Sequence, residues 1–298
     1  MRTLQEIRNW AVHAQPVFIC GLERSGTSIL QVSLSRHPAL FPVKDVYETF
    51  MFVKPRAALE APPPQMTLAY LQGNANAQRF RAMCEGLRGQ GPELSEADII
   101  RAYFFFCAHE VYPGTRPLEK TPGHVRKLNR MLELFPKARV VVCTRDPVSI
   151  VASYRKRLAK EQALGRPREE WNWLDRSAEQ LIAHFKAVSE HIEIAQSRWP
   201  AQVFVAPYDW ITNDPEAALK ALCEFTNLPF AASVMNPPEV AGRKVDELLS
   251  KPITRRDPDD ERYVDGPTRE MIRQQMKALM PLWETAGLKA MQPGSSPG

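Results

Sequence analysis

Short apolar runs alternate with amphipathic helical patterns along most of the chain. Three of these runs, at 16–20, 140–143 and 203–205, predict buried parallel strands. The clearest helical pattern begins with a capping box at Ser177 and carries apolar residues at steps of three and four as far as Trp199. Because strands alternate with helices, the sequence predicts an α/β fold with a mostly parallel sheet flanked by helices.

Further helices are predicted wherever a capping residue or a helix-starting proline precedes an amphipathic stretch. The apolar residues of these stretches again recur at helical spacing. These predicted helices span 28–35, 122–135 and 147–160, and another starts at 214.

Two segments depart from the alternation of strand and helix. Residues 55–110 predict a helical insertion, whereas 236–266 are rich in proline and charge and predict a long surface loop that covers a substrate. Residues 292–298 are expected to form a disordered tail. We expect one domain over 1–298.

Composition limits the class of protein. With 44% apolar and 24% charged residues, the chain has the makeup of a soluble globular protein, and its longest apolar stretch, 102–108, is too short to span a membrane. The net charge of +5 favours an anionic ligand but is too small to indicate nucleic acid. Five cysteines spaced by 23 residues or more predict reduced core thiols, and the chain opens with no apolar leader. We therefore expect a cytoplasmic protein, whose oligomeric state the sequence does not specify.

The glycine-containing segment after the first predicted strand is a candidate phosphate site. Gly21 and Gly26 have the G-x-x-x-x-G spacing of a nucleotide-binding loop, and a helix N-terminus follows. Thr27 replaces the lysine that reaches the outer phosphates of ATP, and Arg24 is the only cation of the loop. These differences argue against the ATP site of a magnesium-dependent kinase and favour a site for a single terminal 5′-phosphate. The residues expected to hold it are Arg24, Ser25, Gly26, Thr27 and Ser28.

A second candidate phosphate site follows the predicted strand 140–143. Arg145 stands directly before Asp146 and Pro147, and Ser153 comes eight residues after the arginine. A helix that starts at Pro147 would carry Ser153, while Arg145 would lie at the carboxyl edge of the sheet beside the first loop. We expect these two side chains to hold a second phosphate.

Together these motifs resemble the sulfotransferases that use 3′-phosphoadenosine-5′-phosphosulfate (PAPS), over about residues 15–230. In that family an (R/K)-S-G-T-(T/S) loop holds the 5′-phosphosulfate, as Arg24 to Ser28 would here. A strand ending in R-D, with a serine eight residues after the arginine, holds the 3′-phosphate. The resemblance implies a P-loop-like sulfotransferase fold, PAPS as co-substrate and no metal.

Further residues fit the same resemblance. Lys120 lies in a K-(T/D)-P segment whose lysine contacts the transferring sulfuryl group. His37-Pro38, and Tyr208 ahead of Asp214-Pro215, lie where the carbohydrate and tyrosylprotein branch carries similar elements. The resemblance implies this branch, with Tyr208 in the nucleotide site, and a small-molecule, carbohydrate or peptide acceptor chosen by 50–110 and 236–266.

The catalytic base is the least constrained residue. The cytosolic phenol branch has a histidine two residues after the motif lysine, where this chain has Pro122. The glutamate branch has its base some 21–22 residues after the loop cation; that count reaches Asp45, and Glu48, three residues on, precedes Thr49 in the branch's E-T pair. We favour Glu48 over Asp45. The remaining candidates are His109 and His124, whereas His184 and His191 are expected to be solvated or capping residues.

Two other functions compete with this one. A kinase of the P-loop type is supported by the glycine spacing and opposed by the missing lysine. A non-catalytic nucleotide-bisphosphate-binding protein would keep the loop and lack the base.

Overall fold

A four-stranded parallel sheet forms the centre of the protein, whose computed structural model describes residues 2–42, 48–89, 93–236, 253 and 260–287. The sheet has the order β2-β1-β3-β4, with every neighbouring pair parallel. Its strands are β1 (Val17–Gly21), β2 (Leu118–Lys120), β3 (Arg139–Thr144) and β4 (Val203–Pro207).

Helices surround the sheet and supply most of the remaining described structure. The α-helices are α1 (Leu4–His13), α2 (Thr27–Leu34), α3 (Gln65–Leu71), α4 (Asn74–Arg88), α5 (Glu96–Phe106), α6 (Leu128–Leu134), α7 (Pro147–Ala163), α8 (Arg168–Trp171), α9 (Ala178–Arg198), α10 (Tyr208–Asn213), α11 (Pro215–Phe225), α12 (Asp260–Tyr263), α13 (Gly266–Met276) and α14 (Met280–Glu284). Short 3-10 helices span Pro55–Leu59, Pro122–Lys127, Asn172–Leu174, Ala232–Met235 and Lys277–Leu279, and a π-turn spans Cys107–Val111.

The predicted α/β fold with a parallel sheet is confirmed. Every residue of β1 and β4 is buried, as expected for strands covered on both faces. Strand β2 was not expected from hydropathy, because two of its three residues are Glu119 and Lys120. Both charged side chains are nonetheless buried.

The predicted helix over 122–135 is wrong in its first half. Residues Pro122–Lys127 form a 3-10 turn, and the α-helix begins only at Leu128. Gly123 has low helix propensity, and the backbone of Lys127 leaves the helical region with φ −124° and ψ 17°. The side chains of 122–127 therefore do not continue the face of α6, as they would in one continuous helix.

The region predicted as an insertion contains α3, α4 and α5, and α5 packs into the central core. Phe104 of α5 lies 5.6 Å, between ring centroids, from both Phe18 of β1 and Phe135. Most of the predicted loop 236–266 and all of the predicted tail 292–298 lie outside the described residues. Where the loop is described, its last part is wrong, because 260–263 form α12 and α13 begins at Gly266. Across the described ranges, no helix is both long enough and apolar enough to cross a membrane.

Candidate functional site

The loop after β1 leaves the sheet where β1 and β3 come very close. A Cβ atom at Gly21 would lie 2.1 Å from the carbonyl oxygen of Cys143, and the φ of Gly21 is 134°. Only glycine tolerates both the contact and the backbone angle. The loop that follows therefore begins at a fixed point on the carboxyl edge of the sheet.

Two residues with left-handed backbone angles direct the loop into the first turn of α2. Arg24 has φ 71° and Gly26 has φ 95°, and Thr27 is the first residue of the helix. A Cβ at Gly26 would lie 2.9 Å from Cδ2 of Tyr208, so the tyrosine ring closes one side of the turn. The amides at the first turn of α2 have no partner within the helix, and this geometry suits an anion.

Ser25 differs in role from the phosphate donor expected of it. Its hydroxyl is completely buried and lies 2.5 Å from the carbonyl oxygen of Leu22 and 3.0 Å from that of Cys143. In this structure the Ser25 hydroxyl therefore holds the loop to β3 rather than facing a ligand. The hydroxyl-bearing residues left at the turn are Thr27 and Ser28.

The residues of the two expected phosphate sites lie in direct contact. Arg24 Nε donates to the hydroxyl of Ser153 at 3.0 Å, and Arg145 Nη1 donates to the carbonyl oxygen of Arg24 at 3.3 Å. The guanidinium of Arg145 also lies 4.3 Å from the centre of the Tyr208 ring. Residues from four separate segments thus form one cluster of cations and donors at the carboxyl edge of the sheet.

Lys120, at the carboxyl end of β2, is paired with Glu48. Its Nζ donates to Oε1 of Glu48 at 3.1 Å, and the side chains of the lysine and glutamate are 2% and 34% exposed. The lysine is thus nearly enclosed, whereas the carboxylate reaches solvent. Asp45, the other expected carboxylate base, lies outside the described residues.

A buried hydrogen-bond network fixes the segment that follows Glu48. The carboxylate of Glu119 accepts from the hydroxyls of Thr49 at 2.8 Å and Thr121 at 2.6 Å, and from His124 Nδ1 at 3.1 Å. The Thr121 hydroxyl in turn accepts from the amide of Thr49 at 3.1 Å. Burial alone would raise the pKa of Glu119, but the interaction with His124, followed by the hydrogen bonds from Thr121 and Thr49, outweighs burial and lowers the pKa. Glu119 is therefore held as a carboxylate in the core.

The two histidines considered as bases are engaged elsewhere. His124 is completely buried, and its Nε2 faces the amide of Phe52 at 3.4 Å while Nδ1 faces Glu119. This pairing requires a neutral ring with its proton on Nδ1. His109 stacks on Phe105, with ring centroids 4.1 Å apart, and its Nδ1 lies 2.9 Å from that residue's carbonyl oxygen.

A second network reaches the loop from α9. Oε2 of Glu23 lies 3.1 Å from Nε2 of His184 and accepts from the hydroxyl of Tyr154 at 3.3 Å. Burial alone would raise the pKa of Glu23, but the interaction with His184, led by its hydrogen bond, outweighs burial and lowers the pKa. The expectation of a solvated or capping His184 is wrong, because this side chain contacts a loop residue 161 positions away.

The fold is an α/β fold, and the loop, the cations and the helix N-terminus at the carboxyl edge of its sheet form a candidate phosphate site. The model of the sulfotransferase family matches residues 16–232, and the chain belongs to that family. An uncharacterised protein of Aquifex aeolicus strain VF5 is 22% identical over 222 residues. That alignment covers 74% of this chain and 26% of the relative, so the chain spans about a quarter of it.

Solved sulfotransferases have a similar fold. The sulfotransferase domain from the curacin biosynthetic pathway has a TM-score of 0.56 at 18% identity, covering 89% of this chain and 98% of that domain. The sulfotransferase domain of the Synechococcus PCC 7002 olefin synthase has a TM-score of 0.55 at 18% identity, covering 89% and 96%. Sulfotransferase STF9 of Mycobacterium avium has a TM-score of 0.53 at 14% identity, covering 94% of this chain and 80% of STF9. At these identities the likeness concerns the fold.

Proposed function

We propose that the protein transfers the sulfuryl group of PAPS to a hydroxyl or amine acceptor without a metal ion. The observation that carries the proposal is the contact between the two phosphate-binding clusters, through Arg24 and Ser153 at 3.0 Å. A nucleotide with phosphates at both its 5′ and 3′ positions needs two such clusters side by side. ATP needs only one, with a lysine that this loop does not have.

The described residues fit such a nucleotide. The turn from Arg24 to Ser28 would hold the 5′-phosphosulfate with its amides, the Arg24 guanidinium and the hydroxyls of Thr27 and Ser28. Arg145 and Ser153 would hold the 3′-phosphate. Tyr208, whose ring packs against Gly26 and under Arg145, would support the nucleotide from the side.

The chemistry follows from the charges that change during sulfuryl transfer. PAPS supplies an activated sulfuryl group and a bisphosphate that gains charge on the bridging oxygen as it leaves. Glu48 is the more exposed member of its ion pair and would accept the proton of the acceptor, a contribution of ~10²–10⁴-fold to the rate. Lys120 and Arg24 would donate to the developing charge, and one such donor is worth ~10²–10³-fold.

The proposal also covers the cellular location, the class of acceptor and the domain organisation. The five cysteines are all buried thiols, as suits a protein of the reducing cytoplasm. A glutamate in the position of the base favours the carbohydrate and tyrosylprotein branch, with a small-molecule, carbohydrate or peptide acceptor. We propose further that 1–298 acts as one domain, since α5 and the central strands share a core.

Nucleotide binding gives the first test. Adenosine 3′,5′-bisphosphate, the product of PAPS, is expected to raise the melting temperature, and ATP with magnesium is expected to raise it much less. The reverse order would favour the kinase. Transfer of labelled sulfuryl from PAPS to a panel of acceptors then separates an enzyme from a binding protein, which would be stabilised by the bisphosphate and transfer nothing.

The base is tested by single-turnover rates at saturating PAPS. Glu48→Gln is expected to keep nucleotide affinity and to slow transfer by ~10²-fold or more, because it cannot accept the proton. Asp45→Asn is the matched control in the same segment and is expected to cost much less. If Asp45→Asn is the inactive variant and Glu48→Gln is not, the two roles are exchanged. Normal turnover by both variants would remove the carboxylate base from the proposal.

A further inference from the structure

A polar cleft opens beside the loop, on the side of α9. Its volume is about 640 Å³, and its walls come from the 3-10 turn after β2, from the short turn before α9 and from the first half of α9 itself. Its polar and aromatic lining residues are Arg126, Asn172, Trp173, Asp175, Arg176, Gln180 and His184. Among the described residues no large aliphatic side chain lines it, so its described lining does not suit a steroid or another wholly apolar molecule.

A chain of hydrogen bonds connects this cleft to the loop. Arg126 Nη2 lies 2.5 Å from His184 Nδ1, and because arginine can only donate, that nitrogen accepts. The proton of the neutral ring is then on Nε2, which donates to Glu23 at 3.1 Å. Glu23 stands directly before Arg24, and Arg126 lies on the turn that follows Lys120. Two residues that line the cleft, Arg126 and His184, are therefore linked by hydrogen bonds to Glu23, the neighbour of Arg24 in the sequence.

Among the residues that line the cleft, two are arginines, Arg126 and Arg176, and one is a carboxylate, Asp175. The acidic residues already have partners: Glu23 is bound by His184 and Tyr154, and Asp175 lies 3.9 Å from Arg168. Over the described ranges, neither Arg126 nor Arg176 has a carboxylate within 4.0 Å. Two guanidinium groups thus face the cleft without a carboxylate partner of their own.

We propose that this cleft binds the acceptor, and that the acceptor carries an anionic group in addition to the hydroxyl or amine that receives the sulfuryl group. The inference rests on the proposed sulfuryl transfer. Arg126 and Arg176 hold a carboxylate, sulfate or phosphate ester, since planar guanidinium groups bind these anions with paired hydrogen bonds. Trp173, 41% exposed, offers a ring face against which a sugar or aromatic ring of the acceptor packs.

Matched pairs of acceptors test the inference. Methyl β-glucuronide is compared with methyl β-glucoside, and 4-hydroxyphenylacetate with its methyl ester, in transfer assays with labelled PAPS. The anionic member of a pair is expected to have a KM lower by about tenfold or more, with a KM that rises with salt. Arg176→Ala is expected to raise that KM about tenfold and to change the KM of the neutral member less than about twofold.

Controls separate charge from structure. Arg126→Ala also removes a partner of His184, so Arg126→Lys is measured beside it and is expected to keep part of the preference for the anion. Arg198→Ala removes a cation at the other end of α9 and is expected to leave both KM values unchanged. If adenosine 3′,5′-bisphosphate stabilises the protein but no anionic acceptor is preferred, or if Arg176→Ala affects both members of a pair equally, the inference is overturned and the proposed function stands. If the bisphosphate does not bind, the proposed function and this inference fail together.

Discussion

Replacement of Glu119 by glutamine tests whether the buried network positions the proposed base. The substitution keeps the shape of the side chain and turns one acceptor oxygen into an NH₂ donor. One glutamine oxygen can still accept from Thr49 and Thr121, as Oε1 of the glutamate does at 2.8 and 2.6 Å. The new NH₂ then faces Nδ1 of His124, 3.1 Å away from Oε2 in the native protein, so that donor meets donor.

His124 cannot relieve this conflict by moving its proton. With the proton on Nε2, the ring would meet the amide of Phe52, which now lies 3.4 Å from that nitrogen. One buried donor therefore stays unpaired in either tautomer, at about 1–3 kcal/mol, and a charge-assisted bond of about 1.5–3 kcal/mol is lost. Removal of a buried charge offsets part of this, and we expect the free energy of unfolding to fall by about 2–3 kcal/mol.

The loss of stability has a defined pH dependence. The folded-state pKa of Glu119 is lowered from its ordinary value of 4.5, so its carboxylate stabilises the fold at pH values above 4.5. That contribution is lost as the pH falls through the lowered folded-state pKa. The difference in unfolding free energy between wild type and Glu119→Gln should therefore be constant near neutrality and shrink below pH 4.5.

Two measurements follow the consequences of the substitution. Urea unfolding gives the stability, and single-turnover transfer at saturating PAPS gives the rate, which we expect to fall by about tenfold or more because the Glu48 segment loosens against Lys120. Affinity for adenosine 3′,5′-bisphosphate should hardly change. Glu161→Gln is the control, since it removes another buried carboxylate, paired with Arg166 at 2.9 Å, that lies outside the network. Wild-type stability and wild-type transfer in Glu119→Gln would refute the positioning role.

Three further predictions concern nucleotide affinity, the stability of the loop and the need for a metal ion. Arg145→Ala and Ser153→Ala should each weaken binding of adenosine 3′,5′-bisphosphate by about 1.5–3 kcal/mol, and much more than binding of adenosine 5′-phosphate, which they affect only through their contacts with Arg24; equal losses in calorimetry would contradict the assignment. Gly26→Ala forces a Cβ to within 2.9 Å of Tyr208 at a φ of 95°, and should lower the free energy of unfolding by about 1–3 kcal/mol; an unchanged urea midpoint would argue against a tight turn. Turnover should persist in EDTA, whereas loss in EDTA with recovery on added magnesium would favour the kinase.

Three strands and the glycine-containing loop could be predicted from the sequence, because each depends mainly on residues that are neighbours in the chain. The apolar runs fixed three strands because parallel strands are buried on both faces, and the loop of Gly21 and Gly26 was found because its backbone angles restrict the residue type. The sulfotransferase family was predicted from the same motifs and is confirmed. The roles of Arg24, Lys120 and Glu48 stay predictions, although the structure puts the last two in contact.

The missed features depend on contacts between distant parts of the chain. Strand β2 contains two charged residues, and only its partners in the fold make their burial tolerable. From the sequence alone, Glu119 would be expected at the surface. One of the donors that satisfies it in the core, Thr49, lies 70 positions earlier in the chain. A signal was nevertheless present in the chain, because a histidine five residues after a glutamate, across a proline-glycine turn, can return to it.

The two networks have a common design with different consequences. Each places a carboxylate directly before a cation of the proposed site: the buried Glu119 before Lys120 and the half-buried Glu23 before Arg24. A carboxylate that already accepts hydrogen bonds from other donors draws the neighbouring cation less strongly to itself. Lys120 is then left for Glu48, and Arg24 for Ser153. The histidine in each network is therefore a structural donor: His124 holds the base segment to β2, and His184 holds the phosphate loop to the cleft where we place the acceptor.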